Sequence, residues 1–284
     1  MASQREIRRR IGAVRNIKQI TRAMQFVAAS KLKRAQDATL AARPYSETID
    51  EVLADLAAVL GGEDHPLLAR REGGKRCLVL ITTDRGLAGP LNTNTIRFAA
   101  RIITEHPGDL TVISVGRKGR DAMRRARVPI EAHFPGFGDR PAFADVLPLA
   151  RLVTDDYVGG VYGQVDIIYS HFVSTLVQRP TLAPLLPITP AEDTAVGIPG
   201  RQFLFEPNAA TVLEQLLPRY VATRLYQAVL EAKASEESSR MVAMKNATEN
   251  AEELIEDLTL VYNKVRQANI TREMIEIATG ARAI

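Results

Sequence analysis

The sequence predicts an α/β protein in which a long antiparallel coiled coil of the N- and C-terminal helices carries a small, mostly parallel α/β sheet domain. The first observation behind this is where the helix breakers fall. Residues 1–60 contain only Gly12 and Pro44, residues 219–279 contain no glycine or proline, and residues 61–207 hold nearly all the rest. A breaker-free run of 61 residues makes a helix of roughly 90 Å, longer than a compact domain of this chain. Such a helix must protrude, and something must cover its apolar stripe. The domains are therefore expected at 1–60 (coiled-coil helix), 61–207 (α/β) and 208–284 (coiled-coil helix).

The second observation is spacing. Ile7, Ile11, Val14, Ile17, Ile20, Met24 and Val27 recur at steps of three or four. So do Met241, Met244, Ala251, Leu254, Leu258, Val261 and Val265, with Thr248 or Ala247 filling one skipped turn. Spacing sustained this long indicates a coiled coil. Ala28, Ala29, Ala35, Ala38, Ala41 and Ala42 allow the helix axes to approach closely.

The third observation is alternation in the middle segment. Arg76–Thr82, Leu110–Val115, Pro129–Phe134 and Val165–Phe172 read as strands, while Asn94–Glu105, Lys118–Arg127 and Pro141–Val158 have helical spacing. Aliphatic strands alternating with helices argue for a mostly parallel sheet. Pro180–Pro199 reads as loop or edge strand. Gln202–Glu206 is a candidate last strand before a helix that begins near Pro207.

Composition narrows the function classes. Hydrophobic residues make up 46% and charged residues 25%, enough to build a core. Aromatics are only 5%, with no Trp, and alanine and leucine suit helices packed side by side. The single cysteine, Cys77, excludes an internal disulfide and a thiolate zinc site and reads as a buried small hydrophobe. No stretch approaches the ~18 apolar residues of a membrane span, and no apolar segment follows the basic N-terminus. Charge is uneven: from Met1 to Arg43 eleven cations oppose only Glu6 and Asp37, giving +9 against +4 for the whole chain. That block calls for an acidic partner.

The chain carries few residues in patterns that chemistry requires. The one glycine-rich turn after a strand, Thr83-Asp84-Arg85-Gly86-Leu87-Ala88-Gly89-Pro90, lacks the three-glycine spacing of a dinucleotide site and the Gly-Lys-Ser/Thr ending of a phosphate loop. Arg85 and nearby amides are a candidate anion holder, against the plainer reading of a structured loop entering a helix. His65, His106, His133 and His171 show no ligand spacing, and no serine sits in a nucleophile elbow. Glu252, Glu253, Glu256 and Asp257 read as solvated helix charges. No catalytic residue, cofactor-binding residue or metal ligand is expected.

Several blocks resemble the γ-subunit family of rotary ATP synthases. Ile20-Thr21-Arg22-Ala23-Met24-Gln25-Phe26-Val27-Ala28-Ala29-Ser30-Lys31-Leu32 is similar to that family's N-terminal helix. Ile270-Thr271-Arg272-Glu273-Met274-Ile275-Glu276-Ile277-Ala278-Thr279-Gly280-Ala281-Arg282-Ala283 is similar to its specific C-terminal signature. Thr83–Leu87 and Arg240–Thr248 match as well, so the resemblance covers essentially the whole chain. It implies a non-catalytic shaft, coupling rotation of a proton-driven membrane ring to conformational change at catalytic β subunits.

The partners it implies are the α and β subunits, the ε and δ subunits and the c subunits of the rotor ring. The resemblance also implies a peripheral place on the cytoplasmic face of a bacterial inner membrane. Membrane association then comes only through the complex, with no nucleic acid involved. Arg8, Arg9, Met24, Arg240, Arg266, Gln267, Thr271 and Glu276 match positions for coupling and β-subunit contact. Gln267 and Glu276 are expected to compensate a charge placed at Met24. Phe203, Phe205 and Glu206 match positions at the foot, toward ε and the rotor ring, where the family often carries Tyr instead of Phe. Asp84, Arg85 and Gly86 match a family loop. Ala88 and Pro90 stand where relatives often have Cys and Gly, and no cysteine-bearing insert is present.

Two rivals remain on the residues alone. One is a nucleic-acid-binding basic coiled coil using Arg5–Arg34, which offers only Phe26 for stacking and spreads its cations around the helix. The other is a small-molecule α/β protein centred on Asp84-Arg85-Gly86, which leaves both long helices unexplained.

Overall fold

The computed structural model describes residues 3–60, 65–69, 71, 73–106, 110–189 and 208–280. Contacts between residues divide the chain into two compact units, Met1–Ala29 with Arg240–Ile284, and Ser30–Ser239. Two long helices contribute to both: α1 (Gln4–Leu60) and α5 (Ala209–Gly280).

In the larger unit the elements run β1 (Lys75–Ile81), α2 (Leu91–Glu105), β2 (Leu110–Val115), α3 (Arg117–Arg125), β3 (Ile130–Phe134), α4 (Phe143–Val158), β4 (Tyr162–Phe172) and β5 (Gln178–Leu186). The sheet order is β3-β2-β1-β4-β5. Only the β4–β5 pair is antiparallel. The chain steps outward from β1 to β3 and then jumps back across β2 and β1 to β4. With crossovers of one hand, that reversal puts α4 on the face opposite α2 and α3.

The core follows this division. Cys77, Val79 and Ile81 of β1 point into one cluster with Val146, Leu149 and Val153 of α4 and Leu217, Val221 and Leu225 of α5. Leu78 and Leu80 point into the other, with Ala99 and Ile102 of α2 and Met123 of α3. Alternate residues of one strand thus feed opposite layers, which is why the strands read as unbroken aliphatic runs. Each fully buried Leu or Val contributes about 1.5–3 kcal/mol.

One polar pair sits within the sheet. Asp166 of β4 is buried and accepts a 2.7 Å bond from Arg76 Nε and further bonds from Gln164. Removing one member of such a pair costs about 3–5 kcal/mol.

The expected elements are present, with shifted ends. The helix read from Asn94 starts at Leu91, behind Pro90. The helix read from Pro141 starts at Phe143, where Asp145 accepts the Ala142 amide at 2.8 Å. The last parallel strand begins at Tyr162 rather than Val165. The proline-rich stretch supplies β5, an edge strand that accommodates Pro180 and Pro184 because one side needs no ladder donors. The rest of that stretch and Gln202–Glu206 lie outside the described residues.

Pro44 and Pro218 do not end their helices. Beyond Pro44, burial of Ile49 and Leu53 and a 3.0 Å bond from Ser46 to Gln227 hold the segment. Tertiary packing there outweighs the missing helix donor.

The smaller unit corrects both apolar stripes. Along α1 the seam runs through Gln4, Ile7, Ile11, Val14, Lys18, Thr21, Gln25 and Ala28, all buried or half-buried and at alternating steps of three and four, with Met24 and Ala29 half-buried on its flanks. Ile17, Ile20 and Val27 are 52%, 58% and 55% exposed. The predicted stripe took three steps of three in succession, from Ile11 to Ile20. Nine residues at about 100° each are two and a half turns, so Ile20 faces away from Ile11. Along α5 the seam is Met244, Thr248, Ala251, Ile255, Leu258, Tyr262, Val265 and Asn269, again at heptad spacing. Leu254 and Val261 are exposed.

Thr21 meets Thr248 at 2.8 Å, Lys18 meets Glu252 at 2.6 Å and Gln4 meets Tyr262 at 3.2 Å. Partners that rise in number on one helix as they fall on the other make the pair antiparallel.

Gly116 tests the packing of α3 on β1. It holds φ 87°, and a Cβ there would lie 2.2 Å from the Thr82 carbonyl oxygen. Gly116→Ala is expected to cost roughly 2–4 kcal/mol of stability, read as a lower urea midpoint. An unchanged midpoint would contradict this account of the turn.

Candidate functional site

Open doubly wound sheets bind ligands at the carboxyl ends of their strands, where the strand order reverses. Here that crevice lies beside β1 and β4, and the chain fills it with its own side chains. Ser235 donates to the Ser170 carbonyl at 2.8 Å, Ser238 to that of Thr175 at 2.6 Å and Ser239 to that of Ala88 at 2.7 Å. His171 is paired with the buried Glu231. This face of α5 closes the space a small ligand would need.

The Asp84-Arg85-Gly86 loop is likewise engaged. The first amides of α3, the natural seat for an anion, are all taken. Arg117 N–H donates to Asp84 at 2.9 Å, Lys118 N–H to the Thr83 carbonyl at 3.1 Å and Gly119 N–H to Thr82 Oγ1 at 2.8 Å. The second oxygen of Asp84 accepts the Gly136 amide at 3.0 Å. Asn92 of α2 accepts the Thr83 amide at 3.2 Å and donates to its hydroxyl at 2.8 Å. The loop therefore clamps β1, α2, α3 and the segment after β3. Arg85 and Gly86 remain exposed.

A charge cluster that sequence reasoning missed joins α1, α5 and the loop after β3. Lys31 donates to Asp139 at 2.7 Å, and Lys233 lies 3.7 Å from the same carboxylate, 3.0 Å from Glu236 and 3.4 Å from Glu237. The hydrogen bond from Lys31, with the charges of Lys31, Lys233 and Arg85, holds the Asp139 carboxyl below the usual range. Lys31 and Asp139 are 108 positions apart, and no local pattern joins those two. Cys77 is buried, and desolvation pushes its thiol up to about 12. Among the described residues no group of His, Cys, Asp and Glu has the makings of a metal site.

Arg8, Arg9, Arg266, Gln267, Thr271 and Glu276 are exposed on the smaller unit, while Met24 and Arg240 are half-buried. The Thr271 hydroxyl donates to the Gln267 carbonyl at 2.9 Å. Gln267 and Glu276 do not lie beside Met24. Residue 21 is level with residue 248, so Gln267 stands about five turns further along α5. Phe203, Phe205 and Glu206 lie outside the described residues. Past Val265 the α5 side chains are nearly all exposed, among them Ile270, Met274, Ile275 and Ile277, the last at 73%.

A sheet crevice closed by the chain's own helix and a coiled coil with apolar side chains on its outer face define a scaffold that works by contact with other chains. The chain belongs to the ATP synthase gamma-chain family: the family model described as ATP synthase matches residues 3–284. It is 50% identical to the ATP synthase gamma chain of Dehalococcoides mccartyi strain CBDB1, covering 100% of both chains. It is 49% identical to that of Roseiflexus castenholzii, covering 100% of this chain and 99% of the relative. Among solved structures, the central stalk and c-ring of the Tetrahymena thermophila mitochondrial ATP synthase contains a chain 26% identical, with a TM-score of 0.61. That match covers 80% of this chain and 99% of the other. A chain of the Euglena gracilis enzyme shares the fold at 20% identity, with a TM-score of 0.69 over 99% of this chain and 94% of its own length.

The Asp139 cluster carries a pH signature. Its depressed carboxyl contributes fully above the unfolded-chain value of about 3.9, and the contribution is lost as pH falls through the folded value. Asp139 is half exposed, which limits the effect to about 1 kcal/mol. Asp139→Asn is expected to lower the melting temperature by about 2–4 °C at neutral pH, and by progressively less as pH falls below the usual carboxylate range. A difference that persists unchanged in acid would assign the effect to shape rather than charge.

Proposed function

We propose that this chain is the central rotor shaft of a proton-translocating ATP synthase. It is a non-catalytic subunit that passes rotation of the membrane ring to the catalytic β subunits. The observation that carries this is the outer face of the coiled coil. Ile17, Ile20, Phe26 and Val27 of α1, and Leu254, Leu260, Val261, Ile270, Met274, Ile275 and Ile277 of α5, are exposed although the helix pair already has a seam. Apolar area of this extent on helices calls for a surrounding partner, and a ring of α and β subunits supplies one. Family membership supports that reading and lends none to the nucleic-acid alternative.

In this proposal residues 1–60 and 208–284 form the shaft and 61–207 the foot. Arg8, Arg9, Met24, Arg240, Arg266, Gln267, Thr271 and Glu276 meet the catalytic ring, with the excess of cations near the N-terminus facing acidic β-subunit loops. The ε and δ subunits and the c-ring are the further partners, with Phe203, Phe205 and Glu206 toward ε and the c-ring. No described helix is long and apolar enough to cross a membrane. The proposed location is peripheral, on the cytoplasmic face of a bacterial membrane and held there by the complex.

Two measurements test this. The isolated chain should neither hydrolyse ATP nor bind it, so stoichiometric micromolar binding by calorimetry would contradict a shaft role. The second is Met24→Lys, which adds a cation beside the exposed Arg22. A partly desolvated pair with a passing carboxylate is worth on the order of 1–3 kcal/mol. Over-stabilising one rotary position by ~1.4 kcal/mol slows turnover about tenfold. The complex should assemble normally and pump protons several-fold more slowly. Wild-type pumping by an assembled mutant would sink this placement of Met24.

A further inference from the structure

The end of α3 and the free edge of β3 form a surface that the shaft reading does not use. Residues 117–127 carry Arg117, Lys118, Arg120, Arg124, Arg125 and Arg127 against the single acid Asp121. Arg117 is turned toward Asp84 and Arg120 is bonded to Asp121. Arg124, Arg125 and Arg127 are exposed, with no ion pair among the described residues. The Asp121 carboxyl is held low first by the Arg120 hydrogen bond and then by the charges of Arg120, Arg125 and Arg124.

Cations near a helix C-terminus complement its carbonyl dipole, which accounts for Arg124 and Arg125. It does not account for Arg127. This residue follows α3 at φ 56°, with its amide bonded to the Arg124 carbonyl and that of Val128 to the Met123 carbonyl. Those two bonds are a helix-ending motif whose left-handed position is ordinarily glycine. An arginine there holds an unfavourable backbone conformation and sets a guanidinium at the rim of a groove of about 470 Å³. Arg120, Arg124 and Arg127 line it together with Val128, Pro129, Ile130 and His133. Strand β3 pairs only with β2 among the described residues, so its outer backbone edge is open.

We propose that the α3–β3 groove is a docking site for an extended, acidic segment of a partner chain. The segment adds as a strand to the free edge of β3, with its carboxylates on Arg124 and Arg127. Guanidinium groups match carboxylates in charge and in bidentate geometry. An open strand edge supplies the backbone half of the recognition. The same arginines repel a basic strand. The open backbone edge of β3 beside these arginines offers a peptide hydrogen-bonding partners that a lipid surface does not use, and His133 is the one aromatic ring among the lining residues. This goes beyond the rotor reading and stands or falls apart from it.

The test uses the full-length chain and a labelled eight-residue peptide of alternating Glu and Val, followed by fluorescence anisotropy. Binding is expected to be at least tenfold tighter to the wild type than to the Arg124→Glu/Arg127→Glu double variant, and to weaken with salt. N-methylation of the alternate peptide amides that face β3 should abolish it, and methylation of the others should not. Arg127→Gly gives a separate readout: it should raise the melting temperature by about 2–4 °C through relief of the backbone while loosening the peptide several-fold. Peptide binding indifferent to charge reversal or to N-methylation would overturn the proposal. So would an Arg127→Gly variant that is stabilised with unchanged binding. Single-stranded DNA or phosphatidylglycerol vesicles that bind through the same arginines more tightly than the peptide would overturn it too.

Discussion

The heptad register between the two ends of the chain organises everything else in this molecule. Thr21 against Thr248 and Lys18 against Glu252 set one side of each helix inward. Every other side chain of the pair is thereby assigned to the outside. A helix with one apolar stripe hides it in such a seam. These helices carry more apolar residues than one seam holds, so Ile17, Ile20 and Val27 on α1 and Leu254 and Val261 on α5 are left for another chain to cover. The central layers of the seam are polar, with hydroxyls and a lysine where larger apolar knobs give more adhesion. The pair is thus held in register by hydrogen bonds as well as by burial.

The same two helices change role within the larger unit. Ile49 and Leu53 of α1 and the Leu213–Val229 stretch of α5 pack on the sheet as a fold-completing layer. Further along, Ser235, Ser238 and Ser239 plug the crevice where a doubly wound sheet ordinarily binds its ligand. An architecture suited to nucleotide chemistry is in this way diverted to mechanical use. Short hydroxyl side chains let a helix lie close to strand ends and loop carbonyls while satisfying acceptors that water or a ligand would otherwise meet. The Asp84 clamp does the same at α3, spending its helix amides on the chain itself.

Electrostatics divides along the same lines. Lys31, Asp139 and Lys233 bind α1, a loop and α5 to one another in the larger unit, whereas Arg8, Arg9 and Arg22 on the smaller unit stay exposed. Cations used internally and cations kept for partners look identical in a charge count. What separates them is whether an acid from a distant part of the chain arrives within reach.

Local pattern along the chain sets the element plan: the distribution of glycine and proline locates two long helices around an alternating middle segment, and aliphatic runs locate the four parallel strands. These signals are local, because backbone breakers and strand burial on both faces act within a few residues. The family blocks at both ends were equally legible. Tertiary structure alone decided which face of each long helix lies inward. The sequence holds apolar residues on two faces, and only pairing with a particular partner distinguishes Ile7, Ile11 and Val14 from Ile17 and Ile20. It also decided that Pro44 would not end α1, since the packing of Ile49 and Leu53 outweighs one lost donor. The serine plug, the Asp84 clamp and the Asp139 cluster were illegible for one physical reason. Each joins groups separated by tens to hundreds of residues, and their bonds exist only after the sheet and helices have brought them together.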